Sequence, residues 1–229
     1  LILALGIYPI LDILLGDSSK IDPLDESKAF DFIVHTHGIL VPVVIATLLY
    51  QAYFEYSSFI WLAAVSVGMS SGASGIITAH ELGHRRPKSR SWWLSRLDLM
   101  CVLYLHFTVE HNHTHHKHWA KPKDPTSSPW KRNVYVHFIR TIPLQLMGAY
   151  RAKPKDFRYS MLVQLTLLVT LVIISPVLLG VFLLQAIVAI FLLEFVNYLQ
   201  HHGLVRGDDE RPNASHAWES RNRWSRWTL

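Results

Sequence analysis

The sequence contains very little cysteine and little charge, and each shortage excludes a class of protein. Cys101 is the only cysteine in 229 residues, which excludes a disulfide scaffold and a cysteine-based structural zinc site. Charged residues make up 17% of the chain, whereas soluble domains carry about 25%. Hydrophobic residues make up 50%, which excludes a disordered protein. The composition therefore predicts a chain that contacts lipid.

Long apolar stretches predict membrane-spanning helices, each of which needs about 20 mostly apolar residues. The last apolar stretch, Met161–Val196, would measure roughly 54 Å as one helix, which exceeds the bilayer core of about 30 Å. We therefore expect it to turn back near Pro176 and Gly180. Because the chain opens at Leu1 rather than at Met, directly inside an apolar run, we interpret residues 1–229 as an internal fragment that forms a single membrane domain with an incomplete N-terminal span. The candidates are Leu1–Leu15, Val34–Tyr53, Phe59–Ala79 and Met161–Val196.

The order of these spans predicts which side of the membrane the polar segments occupy. The spans that end near His80 and near His201 run toward the same side, and no window between positions 81 and 159 is apolar enough to cross. Residues 85–159 contain 15 Lys and Arg against four acids, which predicts the cytoplasmic side of the inner (plasma) membrane. The predicted fold is all-α: a multi-pass, integral membrane helical bundle whose histidine boxes converge on the cytoplasmic face.

Histidine is in excess: the chain has 14, and eight of them lie between positions 80 and 118. They include two short motifs, HELGH at 80–84 and EHNHTHH at 110–116, and a third motif, NYLQHH, follows at 197–202. Ionisable residues at the mouths of membrane helices are costly unless they have a function. Because the topology brings all three motifs to one side, they predict a metal centre.

The spacing within the motifs indicates how many ions are bound. His80 and His84 stand at positions i and i+4, on one helix face, as do His111 and His115. His116 points about 100° away from His115 on a helix, so these neighbours suit different ions. More than four nitrogen ligands suggest two ions, and many imidazoles with few carboxylates suit iron, copper or zinc.

A membrane zinc protease is the main alternative from the residues alone. HExxH on a helix can hold zinc with Glu81 as the general base. A protease needs three protein ligands for one zinc, whereas here at least six histidines are available in clusters. The roles of His113 and His118 stay open, and we interpret four other histidines as structural. These are His35, His37, His106 and His137.

Three motifs resemble one known family. HELGH at 80–84, FTVEHNHTHH at 107–116 and LEFVNYLQHHG at 193–203 are similar to the membrane alkane hydroxylases, the alkane 1-monooxygenases of the fatty-acid-desaturase-like superfamily. KPKDP at 121–125 and SHAW at 215–218 also fit, so the resemblance covers essentially the whole chain. It implies two non-haem iron ions, O2 as oxidant, and electrons from rubredoxin and its reductase. The implied reaction is hydroxylation of the terminal methyl group of n-alkanes to primary alcohols.

Carried over position by position, the resemblance implies six iron ligands. Four further residues are candidates to orient these ligands by hydrogen bonds without binding iron themselves. Glu194 and Asn197 precede His201 on its helix face, and Glu81 and Glu110 stand in the other two motifs. The implied partners are the n-alkane substrate, rubredoxin and membrane lipid, with no nucleic acid. The implied iron ligands are His80, His84, His111, His115, His116 and His201.

The chain departs from the family pattern in two ways. A further histidine box of the form RHSDHH is expected after Trp227 and is missing, so we expect this piece alone to be inactive. Gln200 and His202 stand where the family has Glu and Tyr. Gln200 either exchanges one surface polar group for another or removes a negative charge near iron. It also suits the xylene-type aromatic methyl hydroxylases. These enzymes and the lipid desaturases are the alternatives within the superfamily.

Overall fold

A computed structural model describes residues 6–17, 28–220 and 222 of the chain. These residues form helices, and the one β pairing among them is an isolated bridge between Asp17 and Asn222. The predicted all-α class is confirmed. The α-helices are α1 Tyr8–Leu15, α2 Lys28–Phe54, α3 Ile60–Ser70, α4 Ile76–Gly83, α5 Arg90–Cys101, α6 Phe107–Glu110, α7 His116–His118, α8 Val134–Ala152, α9 Pro154–Ile174 and α10 Pro176–His201. The other helical segments are two π-helical turns, Ser71–Gly75 and His111–His115, and a 3-10 turn, Ala214–His216.

Four helices in the described part of the chain are long and apolar enough to cross a membrane. They are α2, the continuous helix Ile60–Gly83 that contains α3 and α4, α9 and α10. Their outer faces carry exposed apolar side chains such as Ile39 and Ile173, as expected of surfaces that face lipid. Of the predicted stretch Leu1–Leu15, the described part forms the short helix α1, and positions 1–5 lie outside the described residues.

The predicted turn in the last apolar stretch is confirmed at Pro176. This proline begins α10, where its missing N–H and fixed φ suit the first position of a helix. The Ser175 side chain caps α10 by accepting a hydrogen bond from Val177 N at 3.2 Å. The prediction was wrong for Gly180, which lies inside α10. A Cβ at that position would stand 2.9 Å from Cη2 of Trp61, so the glycine makes room for that ring.

Helix Ile60–Gly83 packs closely on α10 because it carries glycines on the shared face. A Cβ at Gly68 would stand 2.5 Å from Gln185 O, and one at Gly72 would stand 2.8 Å from Ala189 O. Small residues let the backbones of membrane helices approach in this way. The contact fixes the helix that carries HELGH relative to the helix that carries NYLQHH.

A buried apolar cluster joins the elements that carry the histidine motifs. It contains side chains from α4, α5, α6 and α10 and from the turn between α5 and α6. The Ser95 hydroxyl also ties α5 to α4 by donating to Ala79 O at 2.6 Å. The motifs therefore stand on packed helices rather than on a free loop. The cluster consists of Ile76, Ala79, Leu99, Val102, Tyr104, Leu105, Phe107 and Ala189.

Candidate metal centre

Four histidines point their Nε2 atoms at one another. His80 Nε2 lies 2.8 Å from His111 Nε2 and 2.9 Å from His84 Nε2, and His116 Nε2 lies 3.4 Å from His84 Nε2. Ligand atoms of all four fall within 4.8 Å of one another. Two imidazole nitrogens bound to one ion at about 2.1 Å lie roughly 3 to 4 Å apart. This group, the four-histidine site, therefore has the donors and the spacing of a metal site.

A π-helical turn explains why His116 joins this site rather than His115. Residues His111–His115 form a turn whose hydrogen bonds run from i to i+5. Such a turn holds about one residue more than an α-turn, so the residue one turn after His111 is His116. The ring centroids of His111 and His116 are 4.4 Å apart, whereas those of His111 and His115 are 5.1 Å apart. The i, i+4 spacing of an α-helix therefore predicts the wrong neighbour for His111, namely His115 instead of His116.

His115 and His201 form a second pair beside the four-histidine site. Their ring centroids lie 5.1 Å apart, and both residues are buried. His115 turns Nδ1 toward Asp124, and His201 turns Nδ1 toward the carbonyl oxygen of His216 at 3.4 Å. These contacts leave the Nε2 atom of each ring available to a metal ion. The described residues offer no third His, Cys, Asp or Glu at metal-ligand spacing from this pair.

Asp124 holds His115 in position, although no motif singled it out as a site residue. His115 Nδ1 lies 2.8 Å from Thr126 Oγ1 and 3.2 Å from Asp124 Oδ2. The carboxylate also accepts from Thr126 N, the Thr126 hydroxyl and the Ser127 hydroxyl, at 3.2, 2.8 and 2.6 Å. Burial alone would raise the pKa of Asp124, but the bonds from His115, Ser127 and Thr126 lower it. An ionised carboxylate behind an imidazole fixes the tautomer that binds metal.

Three imidazoles of the four-histidine site are kept neutral. Burial lowers the pKa of His84. Burial, followed by the charges of nearby imidazoles, lowers the pKa of His116 and lowers that of His111 well below its usual range. Because metal ions bind neutral imidazole, these side chains are in the ligand form at neutral pH.

Glu81, the residue that would be the base of a protease, forms an ion pair at the surface. Its Oε1 lies 3.2 Å from Arg85 Nη2, and the same guanidinium lies 3.2 Å from Asp31 Oδ1. A general base has to reach a metal-bound water within hydrogen-bond distance. The contacts of Glu81 are with a guanidinium rather than with an imidazole of the four-histidine site, which disfavours the protease alternative.

The other three residues predicted to orient ligands are Glu110, Glu194 and Asn197. Glu110 is fully buried, and neither carboxylate oxygen has a hydrogen-bond partner among the described residues. Burial and two neighbouring carboxylates raise the pKa of Glu110 well above its usual range. Glu194 accepts from the Tyr104 hydroxyl at 2.6 Å, from Gln145 Nε2 at 2.9 and 3.0 Å, and from Asn197 Nδ2 at 3.4 Å. Glu194 and Asn197 therefore bond to each other and not to His201.

The two departures from the family motif lie at the end of α10. The Gln200 side chain is exposed, and the backbone carbonyl oxygen of this residue accepts a hydrogen bond from Trp218 N at 2.8 Å. The His202 ring lies 4.6 Å from that of Tyr198 and 5.5 Å from that of Trp130, measured between centroids. Neither residue joins the four-histidine site.

The four histidines predicted to be structural belong to neither group. His35 and His37 each have a ring nitrogen 2.9 Å from a side-chain hydroxyl. His106 and His137 are buried, and their ring nitrogens have no hydrogen-bond partner within the described ranges.

Comparison with known proteins gives the family of the chain. Residues 56–229 match the family described as Fatty acid desaturase. The chain belongs to the fatty acid desaturase family. The matched residues include all three histidine motifs and both groups of histidines.

Relatives of this desaturase-family chain include several alkane 1-monooxygenases. It is 32% identical to Alkane 1-monooxygenase 1 of Pseudomonas aeruginosa, over 94% of the chain and 64% of that protein. It is 28% identical to Alkane 1-monooxygenase 1 of Alcanivorax borkumensis, over 96% of the chain and 61% of that protein. It is also 28% identical to the Alkane 1-monooxygenase of Pseudomonas putida, over 94% of the chain and 60% of that protein. The chain thus spans 60 to 64% of the length of these relatives.

Proposed function

We propose that this protein is a non-haem di-iron monooxygenase that hydroxylates the terminal methyl group of n-alkanes to primary alcohols. It would use O2 and take electrons from rubredoxin. The observation that carries the proposal is the division of six histidines into the four-histidine site and the adjoining pair His115 and His201. The relatives named alkane 1-monooxygenase support the reaction and the substrate.

The histidines present suit two iron ions. The four-histidine site would hold one ion, and His115 and His201 would contribute two ligands to the other. When bound, iron supplies the activation of O2 and the oxidation of a C–H bond. Imidazole ligands leave the charge of the ions uncompensated, and the buried carboxylate of Asp124 offsets part of it. The same carboxylate keeps the Nε2 atom of His115 directed away from the loop that holds Nδ1.

An n-alkane has no polar group, so its binding has to come from burial of its methylene groups, worth about 0.8 kcal/mol each. The four-histidine site stands at the end of the span Ile60–Gly83, and His201 ends α10. A hydrocarbon dissolved in the bilayer would therefore meet the centre at a span end. The protein's task is to place the terminal methyl group against the centre and to exclude water from it.

The proposed donor and the proposed cytoplasmic orientation in the inner membrane rest on charge. Residues 85–159 carry 15 cations and four acids, and Arg85 and Lys117 directly follow the exposed ligands His84 and His116. A positive rim around exposed ligands would attract an acidic electron carrier such as rubredoxin. The positive-inside rule gives the same segment a cytoplasmic location, where such a carrier is found.

Metal analysis combined with hydroxylation of octane tests the proposal. We expect the full-length protein that contains residues 1–229, in membranes supplied with rubredoxin and its reductase, to contain iron and to form 1-octanol. His80→Ala and His116→Ala should lose iron and product, because each removes a ligand of the four-histidine site. His35→Ala and His113→Ala are matched controls and should retain both.

Three results would contradict the proposal. Stoichiometric zinc with peptide hydrolysis would favour the protease. Equal loss of activity in all four histidine variants would mean that the four-histidine site is not special. Hydroxylation of xylene, or insertion of a double bond into a lipid, without any 1-octanol would favour the related enzymes of the superfamily.

A further inference from the structure

A cavity of about 790 Å³ lies between the segment 117–132 and helix α8. We name it the basic basin. It is lined by six cationic side chains and one carboxylate, that of Asp124, which is engaged by His115, Thr126 and Ser127. The cations are Lys117, Lys121, Lys123, Arg132, Arg140 and Arg151.

The positive charge of the basic basin is largely unmatched. Among the ion pairs that the described residues form, one involves a basin cation: Lys121 Nζ lies 3.8 Å from Asp208 Oδ1. Burial and the nearby guanidinium of Arg140 lower the pKa of Arg132. Arg132 and Arg140 are thus held close together without forming an ion pair with a carboxylate of the described residues, and an anion bound between them would relieve their repulsion.

One wall of the basin is apolar and exposed. Leu144 and Met147 of α8 line it and are 44% and 45% exposed, and Val205 lines it and is 74% exposed. The same helix exposes Tyr135 and Ile139 to 71% and 76%. A helix with apolar and basic residues side by side suits the boundary between lipid and water, where tyrosine is also enriched. The basin therefore offers cations and apolar surface in one recess.

We propose that the basic basin binds the headgroup of an anionic phospholipid. The forked guanidinium groups of Arg132, Arg140 and Arg151 suit a phosphate group, which they can bind through two parallel hydrogen bonds. Leu144 and Met147 would contact the first carbon atoms of the lipid. A protein partner would instead bury about 800 Å² on each side of a broad surface, so a recess with an apolar wall favours the lipid. The proposal does not depend on the reaction proposed for the metal centre.

Calorimetry on the purified chain in detergent tests the proposal with three probes. These are dihexanoyl-phosphatidylglycerol, dihexanoyl-phosphatidylcholine and inorganic phosphate, each below its aggregation limit. We expect the phosphatidylglycerol to bind most tightly. The variant Arg140→Gln/Arg151→Gln should weaken its binding about 30-fold, as expected for the loss of two cations at an anionic headgroup. Lys155→Gln/Arg158→Gln, which alters two exposed cations outside the basin, is the matched control and should leave binding unchanged.

Two further variants separate the possible occupants. Arg140→Lys/Arg151→Lys keeps the charge but loses the forked contacts, so it should bind phosphatidylglycerol more weakly than the parent and more tightly than the double glutamine variant. It also tests the basin if the double glutamine variant does not fold. Leu144→Asn should weaken phosphatidylglycerol and leave phosphate unaffected, because it alters only the apolar wall. Equal affinity for phosphatidylglycerol and phosphatidylcholine would overturn the proposal. So would phosphate that binds as tightly as phosphatidylglycerol, which would make the basin a site for small anions, or an acidic protein that displaces the lipid.

Discussion

Replacement of Asp124 by asparagine should weaken one of the two metal positions and leave the other intact. Asparagine has nearly the same shape, so the change removes the negative charge behind His115 without opening a cavity. Thr126 Oγ1, 2.8 Å from His115 Nδ1, remains as an acceptor. The tautomer of His115 is therefore partly preserved, whereas the electrostatic support for a bound ion is lost.

The expected size of the effect follows from these contacts. Loss of a carboxylate behind a metal-binding histidine typically costs about 10- to 100-fold in metal affinity. Because Thr126 still accepts from the ring, we expect Asp124→Asn to cost about 10-fold. Asp124→Ala should cost about 100-fold, since it also leaves the donors of Thr126 and Ser127 without their shared acceptor.

Iron titration against a chelator of known affinity measures this effect on the protein in membranes. We expect the ion at the four-histidine site to keep its affinity and the ion at His115 and His201 to lose it. Asp208→Asn is the control, because Asp208 is fully exposed and contacts only Lys121 among the ion pairs of the described residues. Unchanged affinity at both positions in Asp124→Asn, or loss confined to the four-histidine site, would refute the assignment of Asp124 to His115.

Three further predictions concern stability and electron supply. Burial raises the pKa of Asp98 from 3.8 to about 8, so the folded state loses stability as the pH rises from about 4 to about 8. Asp98→Asn should therefore raise the free energy of unfolding at pH 7 by up to about 4 kcal/mol and have little effect at pH 4. Thermal unfolding at the two pH values checks this, and an equal gain from the exposed Asp156→Asn would contradict it. Gly72→Ala should destabilise the protein by about 1 to 3 kcal/mol, because the new Cβ would stand 2.8 Å from Ala189 O. Gly207→Ala is the control, because its Cβ meets only an ordinary contact at 3.7 Å. Similar melting temperatures for the two variants would contradict close packing of the two helices. Turnover driven by rubredoxin should fall as salt screens the positive rim over about 10 Å at 0.1 M, while turnover driven by dithionite should not, and parallel salt curves would exclude steering by charge.

Much of the fold could be predicted because lipid imposes a simple rule on composition. Three of the predicted apolar stretches overlap the four membrane-spanning helices of the described chain, and Pro176 marks the turn between the last two helices. Gly180 could not be interpreted correctly from the sequence. Its role is to accept the ring of Trp61, a residue more than 100 positions away, and local turn chemistry carries no information on such a contact.

The candidate site was predictable at the level of residues and less so at the level of pairs. The motifs gave all four histidines of the four-histidine site, since imidazoles clustered at span ends suggest a ligand role by themselves. The pairing of His111 with His116 depends on the π-turn, and a rule based on 3.6 residues per turn cannot anticipate it. Asp124 was missed because its carboxylate reaches His115 only after the chain turns back beyond Trp119, and no residue spacing indicates that turn. The weak signal was a DPTS segment after the histidines, which is typical of a turn held by an aspartate.

The π-turn Ser71–Gly75 sets a constraint on the length of its helix. Before the turn Gly68 faces α10, and after it His80 faces His111. The extra residue of the turn shifts the helix by about 100° between these two faces. An insertion or deletion of one residue here would preserve the hydrophobicity of the helix but rotate one face out of contact. The two faces that the turn aligns therefore constrain the number of residues in this segment, in addition to the small size that Gly72 needs against α10.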